Sequence, residues 1–202
     1  INAVKPENKH LEKKSVAEIA KIRNQDIIDA FLDLSLEEGL DTEFQTSSTN
    51  GDEQAVAEII RSPYVLVGQS DAGAHLIYDA GFGYATRLLG YWIREKQIMS
   101  LEEGVRKLTF MVASIFGLPN RGLLRKGMAA DVCLFDPSTV REGDAEMVQD
   151  LPGNEKRFIQ RSTGIEMTIV NGEVLVEKDK HTGALPGAVL SGGNGHSLQA
   201  AA

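Results

Sequence analysis

Asp71 and His75 stand four residues apart in Gly68-Gln69-Ser70-Asp71-Ala72-Gly73-Ala74-His75-Leu76, directly after the short apolar run Tyr64-Val65-Leu66-Val67. A carboxylate and an imidazole on a small-residue loop leaving a buried strand are how α/β enzymes hold proton-transfer groups at a strand's C-terminal end. Asp71 is the candidate acid–base; His75 is the candidate for steadying a carbonyl, a carboxylate or a developing oxyanion. Each has a plainer use, because an Asp after Ser commonly closes a turn and a loop histidine commonly bonds within its own loop. Gly73, Gly81 and Gly83 would let backbone approach a ligand, and Ser70 and Gly73 are the substrate-loop candidates. Ser70 also invites a different chemistry, since Gly68-Gln69-Ser70-Asp71-Ala72 approximates the nucleophile elbow Gly-x-Ser-x-Gly. A serine hydrolase needs a helix immediately after Ser70 and a histidine downstream. Gly73, Gly81 and Gly83 oppose the first, and only His181 or His196, in glycine-rich segments, offers the second.

These residues need a frame. Ser15 and Glu18 have capping-box spacing ahead of Val16, Ile19 and Ile22, and residues 26–36 add Ile27, Ile28, Phe31, Leu32 and Leu34, which predicts two helices closed by Gly39. Residues 42–46 read as a short strand and 52–61 as a helix burying Val56, Ile59 and Ile60. Residues 64–67 have the β-branched look of a strand buried on both faces, as in parallel sheets. Two further helices are expected over 84–95 and 100–116, the second continuous on Leu101, Val105, Leu108, Val112 and Ile115 and stopped by Gly117. On the first, Leu88, Leu89, Tyr91 and Trp92 read as core and Arg87, Arg94 and Lys96 as solvated. From Gly122 the texture turns β-rich. Residues 132–135 read as a strand and 141–156 as a polar connector, while 165–170 and 173–177 meet across Asn171-Gly172 in a type I′ hairpin and nothing more.

Composition sets the outer limits. A chain of 202 residues with 42% hydrophobic and 25% charged side chains is ordinary for one large or two small globular domains. Its net charge of −8 repels phosphate backbones and anionic membranes, so neither nucleic acid nor membrane is an expected partner. The single cysteine, Cys133, sits in an apolar run and reads as a small buried side chain, which leaves the cytoplasm as the default compartment. The four histidines, His10, His75, His181 and His196, have no metal-ligand spacing among themselves, so the chain alone is not expected to bind a metal. Ile1 in place of a methionine suggests an upstream portion.

Four segments together resemble the C-terminal third of the D-aminoacylase-like amidohydrolases: residues 67–75, with Asp71-Ala72-Gly73-Ala74-His75; residues 121–132, from Arg121-Gly122 to Ala130-Asp131-Val132; Ile169-Val170-Asn171-Gly172; and His181-Thr182-Gly183-Ala184-Leu185-Pro186-Gly187. The resemblance covers roughly residues 15–186. It implies an α/β fold: the C-terminal part of a (β/α)8 barrel over residues 1–120, the C-terminal part of a small β-sandwich over 121–190, and a flexible tail over 191–202. It further implies a zinc-dependent hydrolase of N-acyl-D-amino acids, with Asp71 as general base and acid, close to or on the metal, and the remaining ligands on earlier strands. A complete barrel needs about 200 residues or more, and only two candidate strands precede Asp71, so the chain reads as a fragment that is inactive alone. A His-Pro-Arg that better-known D-aminoacylases carry after the aspartate is missing from Asp79-Ala80-Gly81-Phe82-Gly83, which leaves the substrate open. The alternative is a non-catalytic C-terminal module. Either way, exposed strand edges call for a homodimer or an N-terminal partner chain.

Overall fold

Side chains that compete for backbone donors start the first helices where the sequence places them. The computed structural model describes residues 1–44, 50–68, 70, 72, 77 and 81–190, and its contacts divide the chain into Ile1–Glu53 and Gln54–Ala202. In the first unit, Ser15 and Glu18 form the full capping box ahead of α1 (Val16–Arg23), and Asp26 caps α2 (Ile27–Glu37) by accepting the Ile28 N–H at 2.8 Å. The chain turns between them on Asn24, held at φ 52°. Leu11, Ile19 and Leu34 make the buried core, flanked by Ile1 and Phe44. Ile22, Ile27, Ile28 and Leu32 remain exposed, so the apolar residues of these helices form a wider band than the core uses. The strand expected over 42–46 is a single bridge between Asn2 and Glu43; residues 45 and 46 lie outside the described residues. Glu38, buried at the end of α2, accepts from the Asn8 side chain at 2.7 Å and from the Val4 and Lys5 N–H groups, fastening the N-terminal segment.

In the second unit α3 (Glu53–Arg61) buries Ala57 and packs the half-buried Val56 and Ile60 against the core, while Ile59 is exposed. Residues 62–68 follow without joining any ladder, and Tyr64 is 93% exposed. The expected strand is thus not formed: an apolar run encodes the preference for a sheet, but a strand exists only with partners to bond, and no described residue pairs with it. A single turn at Gly81–Gly83 leads into α4 (Tyr84–Arg87), which widens into a π-type helix over Leu88–Glu95. Leu88, Leu89, Trp92 and Ile93 from this helix meet Ala57 and Val140 in the main core, with Val67, Val105, Leu108, Phe135 and Ile165 packed around them. Helices and strands on either side of residue 121 therefore share one core. Arg94, expected to be solvated, instead donates to the Val140 carbonyl at 2.6 Å, and Arg87 lies over the Tyr91 ring and pairs with Glu142.

The expected continuous helix over 100–116 is two helices, α5 (Leu101–Leu108) and α6 (Phe110–Ile115), broken at Thr109. The Thr109 hydroxyl donates back to the Val105 carbonyl at 2.7 Å, and its backbone at φ −123°, ψ −87° is not helical. Leu101, Val105 and Leu108 of the expected stripe are half-buried against the main core, while the fully buried positions of these helices are Gly104, Lys107, Met111 and Ala113, and Ile115 is exposed.

Six strands complete the unit. β1 (Val132–Phe135), β4 (Ile165–Val170), β5 (Glu173–Glu177) and β6 (Lys180–His181) form an antiparallel sheet in the order β1-β4-β5-β6. Asn171 at φ 49° and Gly172 at φ 87° give the hairpin turn that the sequence predicts. Cys133 is exposed rather than buried, because β1 is an edge strand and turns its two central side chains to solvent. The expected polar connector is a strand, β2 (Arg141–Leu151), paired with β3 (Glu155–Thr163) around a turn at Pro152–Asn154. Its charged residues pair across the ladder, as Asp150 and Arg157 do at 2.7 Å, so a polar sequence is compatible with a strand exposed on both faces.

Candidate functional site

Asp71, Gly73 and His75 lie outside the described residues, so the site is approached from the backbone that enters and leaves their span. On the entering side, the buried Lys107 of α5 reaches under residues 62–65. Its ammonium donates to the Ser62 carbonyl at 2.7 Å and to the Val65 carbonyl at 3.1 Å. Burial pulls the Lys107 ammonium below the usual lysine range; nearby Glu103 opposes that pull and Arg106 adds to it. Beyond Val67, Gly68 faces open space, and the half-buried Ser70 accepts the Ala72 N–H on its hydroxyl oxygen at 3.2 Å. That contact makes Ser70 a turn former. Neither Ser70 nor Ala72 is helical, unlike the helix start that a nucleophile elbow requires.

On the leaving side, the Gly83 N–H donates to the Gln160 side-chain carbonyl at 2.7 Å, and the Gln160 amide donates to the Gly143 carbonyl at 2.9 Å. The approach is close. A Cβ on Gly83 would stand 2.6 Å from the Glu142 Cβ and 2.8 Å from Gln160 Oε1, so only glycine fits between α4 and the β2–β3 hairpin. Neither Lys107 nor Gln160 is visible as a site residue in the sequence. Lys107 follows Gly104 by three on one helix face, and that pair is the only trace: the glycine marks where α5 is pressed against Ile93, and the lysine lies on the same side.

The other signature segments meet elsewhere in the unit. Arg121 pairs with Asp131 and donates to the Asn171 side-chain oxygen at 2.9 Å. Asp131 accepts the Asn171 N–H at 2.8 Å, the Asn171 amide donates to the Pro186 carbonyl at 2.7 Å, and the Gly172 N–H reaches the Ala130 carbonyl at 3.0 Å. Asn171 is thus more than a turn residue. In the last segment, His181 Nδ1 accepts the Gly183 N–H at 2.9 Å and Thr182 donates to the Val174 carbonyl at 2.7 Å, closing the sheet after β6. His10 Nδ1 donates locally to the Glu7 carbonyl, 2.9 Å away. Among the described residues no three His, Cys, Asp or Glu side chains stand together as a metal cluster, so those residues by themselves do not fit a zinc centre.

Comparison with known proteins agrees with the signature segments. The chain is 32% identical over 147 residues to an N-acyl-D-aspartate deacylase of Alcaligenes xylosoxydans xylosoxydans, covering 71% of this chain and 27% of that protein. It is 36% identical over 125 residues to an N-acyl-D-glutamate deacylase of the same organism, covering 60% of this chain and 23% of that protein. A D-aminoacylase mutant in complex with CuCl2 superposes with a TM-score of 0.50 at 26% identity, covering 90% of this chain and 35% of that one. The chain thus spans about a quarter of the length of the curated relatives, and its fold is a mixed α/β arrangement like that part of D-aminoacylase. Residues 12–176, most of the chain, match the amidohydrolase family, and the protein belongs to that family.

Proposed function

We propose that the chain supplies the acid–base carboxylate, Asp71, to a metal-dependent amidohydrolase that cleaves the amide bond of N-acyl-D-amino acids or related acylated amines. The observation that carries this reading is the alignment with two deacylases of N-acylated acidic D-amino acids, at 32% and 36% identity. In this reading residues 1–120 are the closing units of a (β/α)8 barrel, 121–190 belong to a small β-sandwich, and 191–202 form a tail. Residues 64–67, which form no strand here, would become the last barrel strand once earlier strands supply bonding partners. The cofactor is zinc, held mainly by residues upstream of this chain; when bound, such an ion brings the pKa of water toward ~7.

Asp71 takes the proton of the attacking water and returns it to the leaving nitrogen. His75 holds the substrate carbonyl or carboxylate, and Ser70 and Gly73 line the approach. The edge at residues 64–67, which pairs with no strand among the described residues, is covered by an N-terminal partner chain or a second copy, in the cytoplasm. The test joins the chain to its upstream coding sequence and measures hydrolysis of N-acetyl-D-amino acids with added zinc. Asp71→Asn is expected to lower kcat by about 10²–10⁴-fold with metal content retained. Unchanged turnover would reject Asp71 as the base, and hydrolysis by the isolated 202 residues would reject the assignment of the ligands to upstream sequence.

A further inference from the structure

We infer that Lys107 and Gln160 are positioning residues that fix, from outside, the two ends of the backbone span carrying Asp71. Their importance to catalysis rests on the reading of Asp71 above; their action on the backbone does not. Three observations carry the inference. Residues 62–68 enter the span without joining a ladder among the described residues, and the buried Lys107 ammonium takes two of their carbonyls, that of Val65 and that of Ser62, which also accepts the Val65 N–H at 3.4 Å. The Gly83 N–H leaves the span in the same condition, and the Gln160 side chain takes it while its own amide is held by the Gly143 carbonyl. Both anchors are themselves rooted in rigid elements, α5 through its tight seat against Ile93 and β3 through its pairing with β2. An ammonium is a fitting anchor under two neighbouring carbonyls: it offers three donors on a long stem and no acceptor, so one side chain can bond both at different depths. An amide suits the other end, since Gln160 both accepts the Gly83 N–H and donates to fix its own orientation.

The experiment is backbone amide hydrogen exchange on the full 202-residue chain, with the amides of β4 and β5 as the internal reference. Lys107→Met, nearly isosteric and without donors, is expected to speed exchange at residues 64–68 by about tenfold to a hundredfold, as loss of a charged hydrogen bond requires. Gln160→Leu is expected to do the same at residues 81–85 and leave 64–68 unchanged. Lys107→Arg, which keeps the charge and the donors, is expected to restore most of the protection. Equal acceleration in β4–β5, at residues 64–68 and at residues 81–85 would overturn the inference, since the two side chains would then only contribute to global stability. If Lys107→Met does not fold, nitrogen-15 spectra of the unmodified protein decide: a slowly exchanging lysine ammonium coupled to the Ser62 and Val65 carbonyls supports the anchor, and its absence overturns it. In the zinc-loaded protein joined to its upstream part, Lys107→Met is further expected to lower kcat by tenfold or more with KM and metal content unchanged, because a displaced base slows chemistry rather than binding. Unchanged kcat with locally increased exchange would overturn the positioning role. Unchanged turnover in Asp71→Asn instead rejects the assignment of the base and leaves the two anchors standing.

Discussion

The stretch from Ser62 to Gly83 and the stretch from Arg121 to Pro186 both carry family signatures, and they are held by opposite means. In the second, signature residues bond one another: Arg121, Asp131, Asn171 and the Pro186 carbonyl form a closed set against the β1-β4-β5-β6 sheet. In the first, the described backbone is held by Lys107 and Gln160, which belong to no signature. A recurrent motif can therefore be a knot of the fold or a tool of the reaction, and its hydrogen-bond partners tell which. Arg121 illustrates the knot, since its charge is used inside the protein and is not offered to a ligand.

Substitutions in the Arg121–Pro186 stretch should cost stability, read as the urea midpoint of the chain. The largest effect is expected at Gly164→Ala. Gly164 sits at φ +77°, and a Cβ there would stand 2.5 Å from the Val140 nitrogen and 2.6 Å from its Cα, backbone that cannot yield; about 3 kcal/mol or more should be lost. A loss under ~1 kcal/mol would mean that this corner is soft, and the contrast with the Ser62–Gly83 stretch would fail. Next is Arg121→Ala, which strips bonds from Asp131 and Asn171 together and should cost about 2–3 kcal/mol. Lysine should not rescue it, because one ammonium cannot reproduce the fork that spans both acceptors. A smaller loss, about 1–2 kcal/mol, is expected for Asn171→Ala. Asn171→Gly separates its two causes: glycine keeps the left-handed turn and loses only the side-chain bonds, so it should fall between wild type and alanine. Equality of the glycine and alanine variants would assign the whole effect to those bonds.

Much of this frame was legible in the sequence because it rests on local rules. Ser15, Asp26 and Ser100 announce helices through bonds to amides two or three residues on, and Asn171-Gly172 announces a hairpin through the φ values it tolerates. What escaped depends on partners distant in sequence. Arg141–Leu151 reads as a connector because its polar side chains carry no burial signal, yet its backbone finds a partner in β3. Residues 64–67 read as a strand because their apolar side chains carry that signal, yet no described backbone pairs with them. Thr109 breaks a helix whose apolar spacing runs straight through it. For the candidate site, Asp71 and His75 stand out by residue type and motif, whereas Lys107 does not, since a lysine on an amphipathic helix ordinarily lies in solvent.

The smallest expected effects concern pH, and they should fall at opposite ends of the pH range in the two stretches. Asp136 begins the turn that delivers Val140 to the core. Its carboxylate accepts the Ser138 hydroxyl at 2.7 Å and the Ser138 N–H at 2.8 Å, bonds that hold it below the usual aspartate range, with the Thr139 side chain assisting. A carboxyl lowered on folding contributes stability that is complete above its unfolded value, about 3.9, and is lost as pH falls through the folded one. Lys107 is lowered as well, chiefly by burial; here folding favours the neutral form, so stability again rises with pH, now between the folded value and the unfolded value near 10.4. Denaturation midpoints measured from pH 2 to pH 10 should therefore show an acid loss that Asp136→Asn flattens and an alkaline gain that Lys107→Met removes. If Lys107→Met left the alkaline limb unchanged, the ammonium would be solvated rather than buried under Ser62 and Val65, and the Ser62–Gly83 stretch would have lost the contact that distinguishes it from the knot.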